Sequence, residues 1–74
     1  MPELRGLSGA DMIRRLEQLG FVQIRQKGSH VVLKRQTPEG DVGCVVPLHK
    51  ELAIGTVKGV LKQAKVELDV FLEL

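Results

Sequence analysis

The sequence has no tryptophan and no tyrosine, and Phe21 and Phe71 are its only aromatic residues. Reading single-stranded bases by stacking needs several rings on one face, so that mode of nucleic-acid binding is excluded. Cys44 is the single cysteine. It can close no internal disulfide, and zinc sites built on two or four thiolates are excluded with it. No apolar run reaches the length of a membrane span, and the N-terminal residues lack the apolar stretch of a signal peptide. A soluble protein of the reducing cytoplasm, without membrane association, is the expectation. Repeats, linkers and low-complexity segments are also missing.

What is present is a chain of 74 residues, expected to form one domain over residues 1–74. A domain of this size buries only about two-thirds or less of its unfolded surface, which leaves little core for a deep cleft. An exposed working surface is therefore expected. Hydrophobic residues are 43% and charged residues 27% of the chain, a globular balance rather than a disordered one. The net charge of +2 hides an asymmetry: residues 1–35 hold seven Lys/Arg against three Asp/Glu, and residues 36–74 hold four against six. The basic half suits a polyanionic partner.

Ser8 and Asp11 fit a capping box, and Met12, Ile13, Leu16 and Leu19 follow at helical spacing until Gly20 stops the helix. Residues 21–26 alternate as a strand. Lys27-Gly28-Ser29 is a tight connection, and residues 30–36 form a second strand. Residues 37–41 make a polar hairpin loop, residues 42–46 a third strand, and Pro47 closes it. After a connection over residues 48–53, a second helix begins near Ile54–Thr56 and buries Ile54, Val57, Val60, Leu61 and Ala64. Gly59 within it costs about 1 kcal/mol against alanine and marks close packing on the sheet. Residues 1–7 read as a frayed lead-in. The tail from Leu68 reads as a short helix or turn pinned by Phe71 and Leu72. The predicted fold is α+β: α-β-β-β-α, an antiparallel three-stranded meander with both helices on one face. Val31 and Leu33 would then face the helices, with His30, Val32 and Lys34 on the open side.

His30 stands in the basic stretch RQKGSHVVLKR, residues 25–35. Imidazole, with an ordinary pKa of about 6.5, serves as acid or base near neutrality without large tuning. Gly28 permits close backbone approach to a ligand, and Ser29 adds a hydroxyl and an N–H. Arg25, Lys27, Lys34 and Arg35 are candidate phosphate holders. An exposed strand histidine among surface charges is the plainer reading. His49 is a candidate partner that would divide acid and base roles with His30; its plainer reading is a loop histidine that caps backbone groups. Gly55-Thr56 opens the second helix, where free N–H groups suit an anion, and Lys58 lies one turn in. Arg14 and Arg15 read as a solvated helix face, or alternatively as a nucleic-acid stripe. A metal site made of His30, His49 and Cys44 matches no ligand spacing, and no metal or other cofactor is expected.

Taken together, Gly20-Phe21, Arg25-Gln26-Lys27-Gly28-Ser29-His30, Val46-Pro47-Leu48-His49-Lys50-Glu51-Leu52, Gly55-Thr56-Val57 and Leu61-Lys62-Gln63-Ala64 resemble the HicA toxin family, also called the YcfA-like family. The resemblance runs from Ser8 to about Phe71. It implies a fold similar to double-stranded RNA-binding domains. It also implies an mRNA interferase, a ribosome-independent endoribonuclease that halts translation until its cognate HicB-type antitoxin binds. The family's functional histidine falls on His30, its motif on Gly28 and Ser29, and its second histidine on His49. Lys65 departs from the pattern, because a helix-ending glycine is frequent there.

RNA carries its own nucleophile, the 2′-hydroxyl. A histidine that takes its proton drives attack on the adjacent phosphorus, while Arg25, Lys27 or Lys34 offsets charge on the phosphoryl oxygens. Two other readings compete: a non-catalytic RNA-binding domain using the same basic surface, and a protein-interaction module suggested by the acidic second half and exposed strand edges.

Overall fold

The computed structural model describes residues 2–74. A 3₁₀ turn over Pro2–Leu4 precedes helix α1 (Gly9–Gln18), strands β1 (Val22–Lys27), β2 (His30–Thr37) and β3 (Gly40–Pro47), helix α2 (Ile54–Ala64) and the short helix α3 (Leu68–Leu72). The strands form an antiparallel meander in the order β1-β2-β3, so the expected α+β architecture is the one observed. The sheet has one covered and one open face. Val31 and Leu33 of β2 and Val42, Cys44 and Val46 of β3 share one core with Met12, Ile13 and Leu16 of α1 and Val57, Val60, Leu61 and Ala64 of α2. On the other face His30 and Lys34 are exposed, as the alternation of β2 predicts.

Both long helices end by the same device. After α1, the N–H of Gly20 donates to Glu17 O and that of Phe21 to Leu16 O; after α2, Lys65 donates to Lys62 O and Val66 to Leu61 O. These paired bonds satisfy carbonyls that the last turn leaves open, and they need a left-handed residue at the pivot. Gly20 takes that conformation freely at φ 95°, whereas Lys65 takes it at φ 55° with a Cβ that opposes it. The departure at Lys65 therefore leaves the helix end in place and adds strain there.

The start of α1 is the predicted capping box. Asp11 N–H donates to Ser8 Oγ, and Ser8 N–H donates to the Asp11 carboxylate, each at 3.0 Å. These bonds to Ser8, and then the charges of Arg14 and Arg15, hold the Asp11 carboxyl below its ordinary pKa.

Several expectations are corrected. Residue 1 lies outside the described residues, but the rest of the lead-in is not frayed: Leu4 and Leu7 are buried, and Leu7 O accepts from Leu52 N–H at 2.7 Å. Pairing of β2 with β3 continues to Thr37 and Gly40, so the hairpin loop shrinks to Pro38-Glu39. All of β1 is exposed, and a bulge lies between Gln23 and Arg25, because an edge strand on an open sheet lacks neighbours on most sides. Gly59 lies on the exposed side of α2, and a Cβ there would meet nothing within 4 Å; it does not mark packing on the sheet. The outer edge of β3 is instead blocked by α2, where the Gln63 side chain accepts from Val45 N–H at 3.1 Å.

Two predictions follow from the helix ends. Lys65→Gly raises the stability measured by urea unfolding by about 1 kcal/mol, because the relieved left-handed strain exceeds the entropy that glycine adds to the unfolded chain. The depressed pKa of Asp11 contributes stability above the ordinary carboxylate pKa of about 4, and that contribution is lost as pH falls through the lower folded value. The stability difference between the wild type and Asp11→Asn, measured by thermal melts from pH 7 to 2, therefore shrinks at the acid end.

Candidate active site on the open sheet face

Strands β1 and β2 join through a two-residue turn, with Lys27 and His30 as register partners and Gly28-Ser29 between them. Gly28 has φ 59°, and Ser29 is not among the residues of positive φ. That order of signs is the hairpin turn that takes glycine at its first central position. A Cβ on Gly28 would touch nothing within 4 Å, so backbone conformation, not close approach of a neighbour, selects glycine here. Gln26 Nε2 donates to Gly28 O at 3.0 Å and steadies the turn.

The turn is tied to the loop that carries His49. Leu48 N–H donates to Ser29 O at 2.6 Å, and Gly9 N–H at the first position of α1 donates to His49 O at 2.9 Å. On its other side His30 pairs with Pro47. Gly9 is where the loop meets the helix most closely: a Cβ there would lie 2.1 Å from Pro47 O and 2.8 Å from Leu48 Cα. Three stretches distant in sequence therefore converge at one end of the sheet, and they carry both histidines. Both side chains are exposed.

The candidate cations divide by position. Lys27 is directly across from His30, and Arg25 is across from Val32. Paired residues share a face, with Cβ atoms about 5 Å apart directly opposite and about 7–8 Å apart on the diagonal. Lys34 shares the face but is four residues along β2, roughly 13 Å away at 3.3 Å per residue. Arg35 points to the covered side and does not join this group. Its Nη1 donates to Leu19 O at 3.1 Å, and its guanidinium carbon sits 4.9 Å from the Phe21 ring centroid. It is thus a half-buried clamp on the end of α1. Thr56 belongs to the exposed first turn of α2, which has Ala53 as N-cap and no side-chain cap bond. Gln63, in the last turn of α2, reaches Val45, two residues from the β3 residue that pairs with His30. Lys58 faces a hollow shared with Leu61, Lys62, Val66 and Leu68 and is not brought to His30. Arg14 pairs with Asp11, while Arg15 lies half-buried over the Phe71 ring at 5.1 Å, which leaves no stripe of free arginines on α1.

Cys44 is buried in the core, and burial pushes its thiol up to about 11, so it stays protonated and inert at neutral pH. Among the described residues no three His, Cys, Asp or Glu side chains gather as a metal site. Two hollows are lined by Arg35–Val42 with Lys65, and by Leu19, Gly20, Val22, Ile24 and Lys34–Gln36 with Asp41, both toward the end of the sheet remote from His30. Farther along the open face from His30, Val22 and Ile24 on β1 are 61% and 50% exposed. Sequence reasoning missed Gly9 and this apolar share of the open face. A glycine at the first helical position, where alanine would serve the helix better, was the signal for the former.

A family model described as the HicA toxin of bacterial toxin–antitoxin matches residues 9–66. The matched span starts at Gly9 and ends at Val66, covering α1, the sheet and α2 through its terminal hydrogen bonds. No curated protein matches the chain.

The approach of the loop to Gly9 yields a test. Gly9→Ala destabilises the fold by about 3 kcal/mol in urea unfolding, since the obstructing atoms are backbone and cannot rotate aside. Ala10, exposed one position on, tolerates Ala10→Ser within about 0.5 kcal/mol.

Proposed function

Because the chain belongs to the HicA toxin family of bacterial toxin–antitoxin, we propose that it is an endoribonuclease that cleaves mRNA and uses His30 as its catalytic base. The observation that carries this reading is the exposed imidazole of His30 on a basic, open sheet face, fixed beside Lys27 by a two-residue turn. An open face suits a long polymer, which needs no enclosing cleft. His30 takes the proton of a 2′-hydroxyl, the 2′-oxygen attacks phosphorus, and the bond to the 5′-oxygen breaks. The leaving oxygen takes a proton from His49, from water, or from His30 once it is protonated. The products are a 2′,3′-cyclic phosphate and a 5′-hydroxyl.

Arg25 and Lys34 lie along the same face and hold neighbouring phosphates. Thr56, in the exposed first turn of α2, is a further phosphate contact through its free backbone N–H. The protein partner is a HicB-type antitoxin, and the consequence of its loss is arrest of translation.

Purified wild-type chain cleaves a long transcript, and it continues to do so in EDTA because no step needs a metal ion. His30→Ala lowers the cleavage rate by at least about a hundredfold, the scale of a lost general base. RNA binding by the His30→Ala protein persists and weakens steeply with salt, as phosphate contacts require. A wild-type chain that binds RNA and leaves it intact would instead support a non-catalytic RNA-binding domain.

A further inference from the structure

We infer that Lys27 is the side chain that neutralises the phosphoryl oxygens during cleavage, while the other cations of the face only hold the RNA; the inference rests on the His30 reading above. The register is the first reason. Lys27 and His30 are the two residues that flank the Gly28-Ser29 turn, so their side chains rise together from the same face, about 5 Å apart at Cβ. A lysine and a histidine rooted that close reach the same phosphate from two sides. On the opposite flank His30 meets Pro47, which brings no charge.

The second reason is that the other candidate phosphate holders, Arg25, Lys34, Arg35 and Lys58, are placed elsewhere. Arg35 is occupied with Leu19 O and Phe21 on the covered side, and Lys58 faces the hollow near α3. Lys34 is roughly 13 Å along the strand, a spacing that suits a different phosphate. Arg25 is a diagonal neighbour beyond Lys27, next to Val32 rather than His30. The third reason is that no carboxylate among the described residues pairs with the Lys27 ammonium. Among the described residues the one ion pair is Arg14–Asp11, and Asp41, across from Gln36, is about 20 Å along the sheet from His30.

The chemistry assigns the division of labour. As the 2′-oxygen bonds to phosphorus, His30 receives its proton, and negative charge builds on the two non-bridging oxygens before the 5′-oxygen leaves with a proton. Lys27 transfers no proton. It keeps its own and lies against one non-bridging oxygen, where its charge is worth more to the transition state than to the ground state.

The test uses single-turnover cleavage of a short RNA with one scissile site. With Lys27→Gln, the rate at saturating protein falls by about a hundredfold or more, while the half-saturating concentration changes less than about threefold. Lys27→Arg recovers part of the rate. Arg25→Gln and Lys34→Gln instead raise the half-saturating concentration and leave the saturated rate within a few-fold. Sulfur in place of one non-bridging oxygen slows the wild type in one diastereomer, and Lys27→Gln abolishes that discrimination. A chain whose cleavage depends on His30 yet is indifferent to Lys27→Gln overturns this inference alone. A Lys27→Gln defect seen only in half-saturation does the same. A wild-type chain that leaves RNA intact overturns the His30 reading, and this inference falls with it.

Discussion

The missing side chain at Gly9 is the constraint on which the rest depends. It lets the backbone of Pro47 and Leu48 lie against the first turn of α1, closer than any Cβ allows. That approach brings Gly9 N–H to His49 O and leaves Leu48 N–H over Ser29 O. Three segments that share no local propensity are thereby locked by main-chain hydrogen bonds. The bond from Leu52 N–H to Leu7 O extends the seam toward the N-terminal turn. The seam holds the ends of β2 and β3 and the loop of His49 in one place, independent of the exposed side chains it presents. This rigidity matters for a site without a cleft, since geometry must come from backbone rather than enclosure.

The sheet then separates two kinds of positive charge. On the covered side, Arg15 and Arg35 lie over Phe71 and Phe21, so both aromatic rings of the chain are spent on arginines. These contacts couple α1 to α3 and the end of α1 to β2, with each worth about 0.5–2 kcal/mol according to its exposure. On the open side, Arg25, Lys27 and Lys34 meet solvent alongside Val22, Ile24 and Val45. A basic face interleaved with apolar side chains suits a polyanion and also the protein partner that toxin–antitoxin pairing implies.

Features that depend on local chemistry were legible from residues alone. Ser8 with Asp11 identifies a cap because the bonds are three residues apart, and the alternation of β2 identifies its faces because its middle is paired on both sides. Features that depend on tertiary neighbours were not. The alternation puts Arg35 on the covered face with Val31 and Leu33, but its seat over Phe21 and its bond to Leu19 O depend on neighbours that its own surroundings in sequence do not reveal. Glycines show the same divide: Gly20 and Gly28 could be read from turn chemistry, whereas the close packing expected at Gly59 is found at Gly9, for which no role was expected. The Ile24 bulge left β1 without a clean period of two. The candidate site was legible as a cluster around His30, and the structure narrowed its cations by geometry.

The central claim is that the substrate supplies the nucleophile and His30 activates it. An RNA with a single 2′-deoxy nucleotide immediately 5′ of the scissile phosphate tests that claim most directly, with product ends read by mass spectrometry. The account predicts that this one change blocks cleavage at that bond, while the all-ribose control gives a 2′,3′-cyclic phosphate and a 5′-hydroxyl. Cleavage of the deoxy-substituted bond, or products bearing a 5′-phosphate, would contradict it.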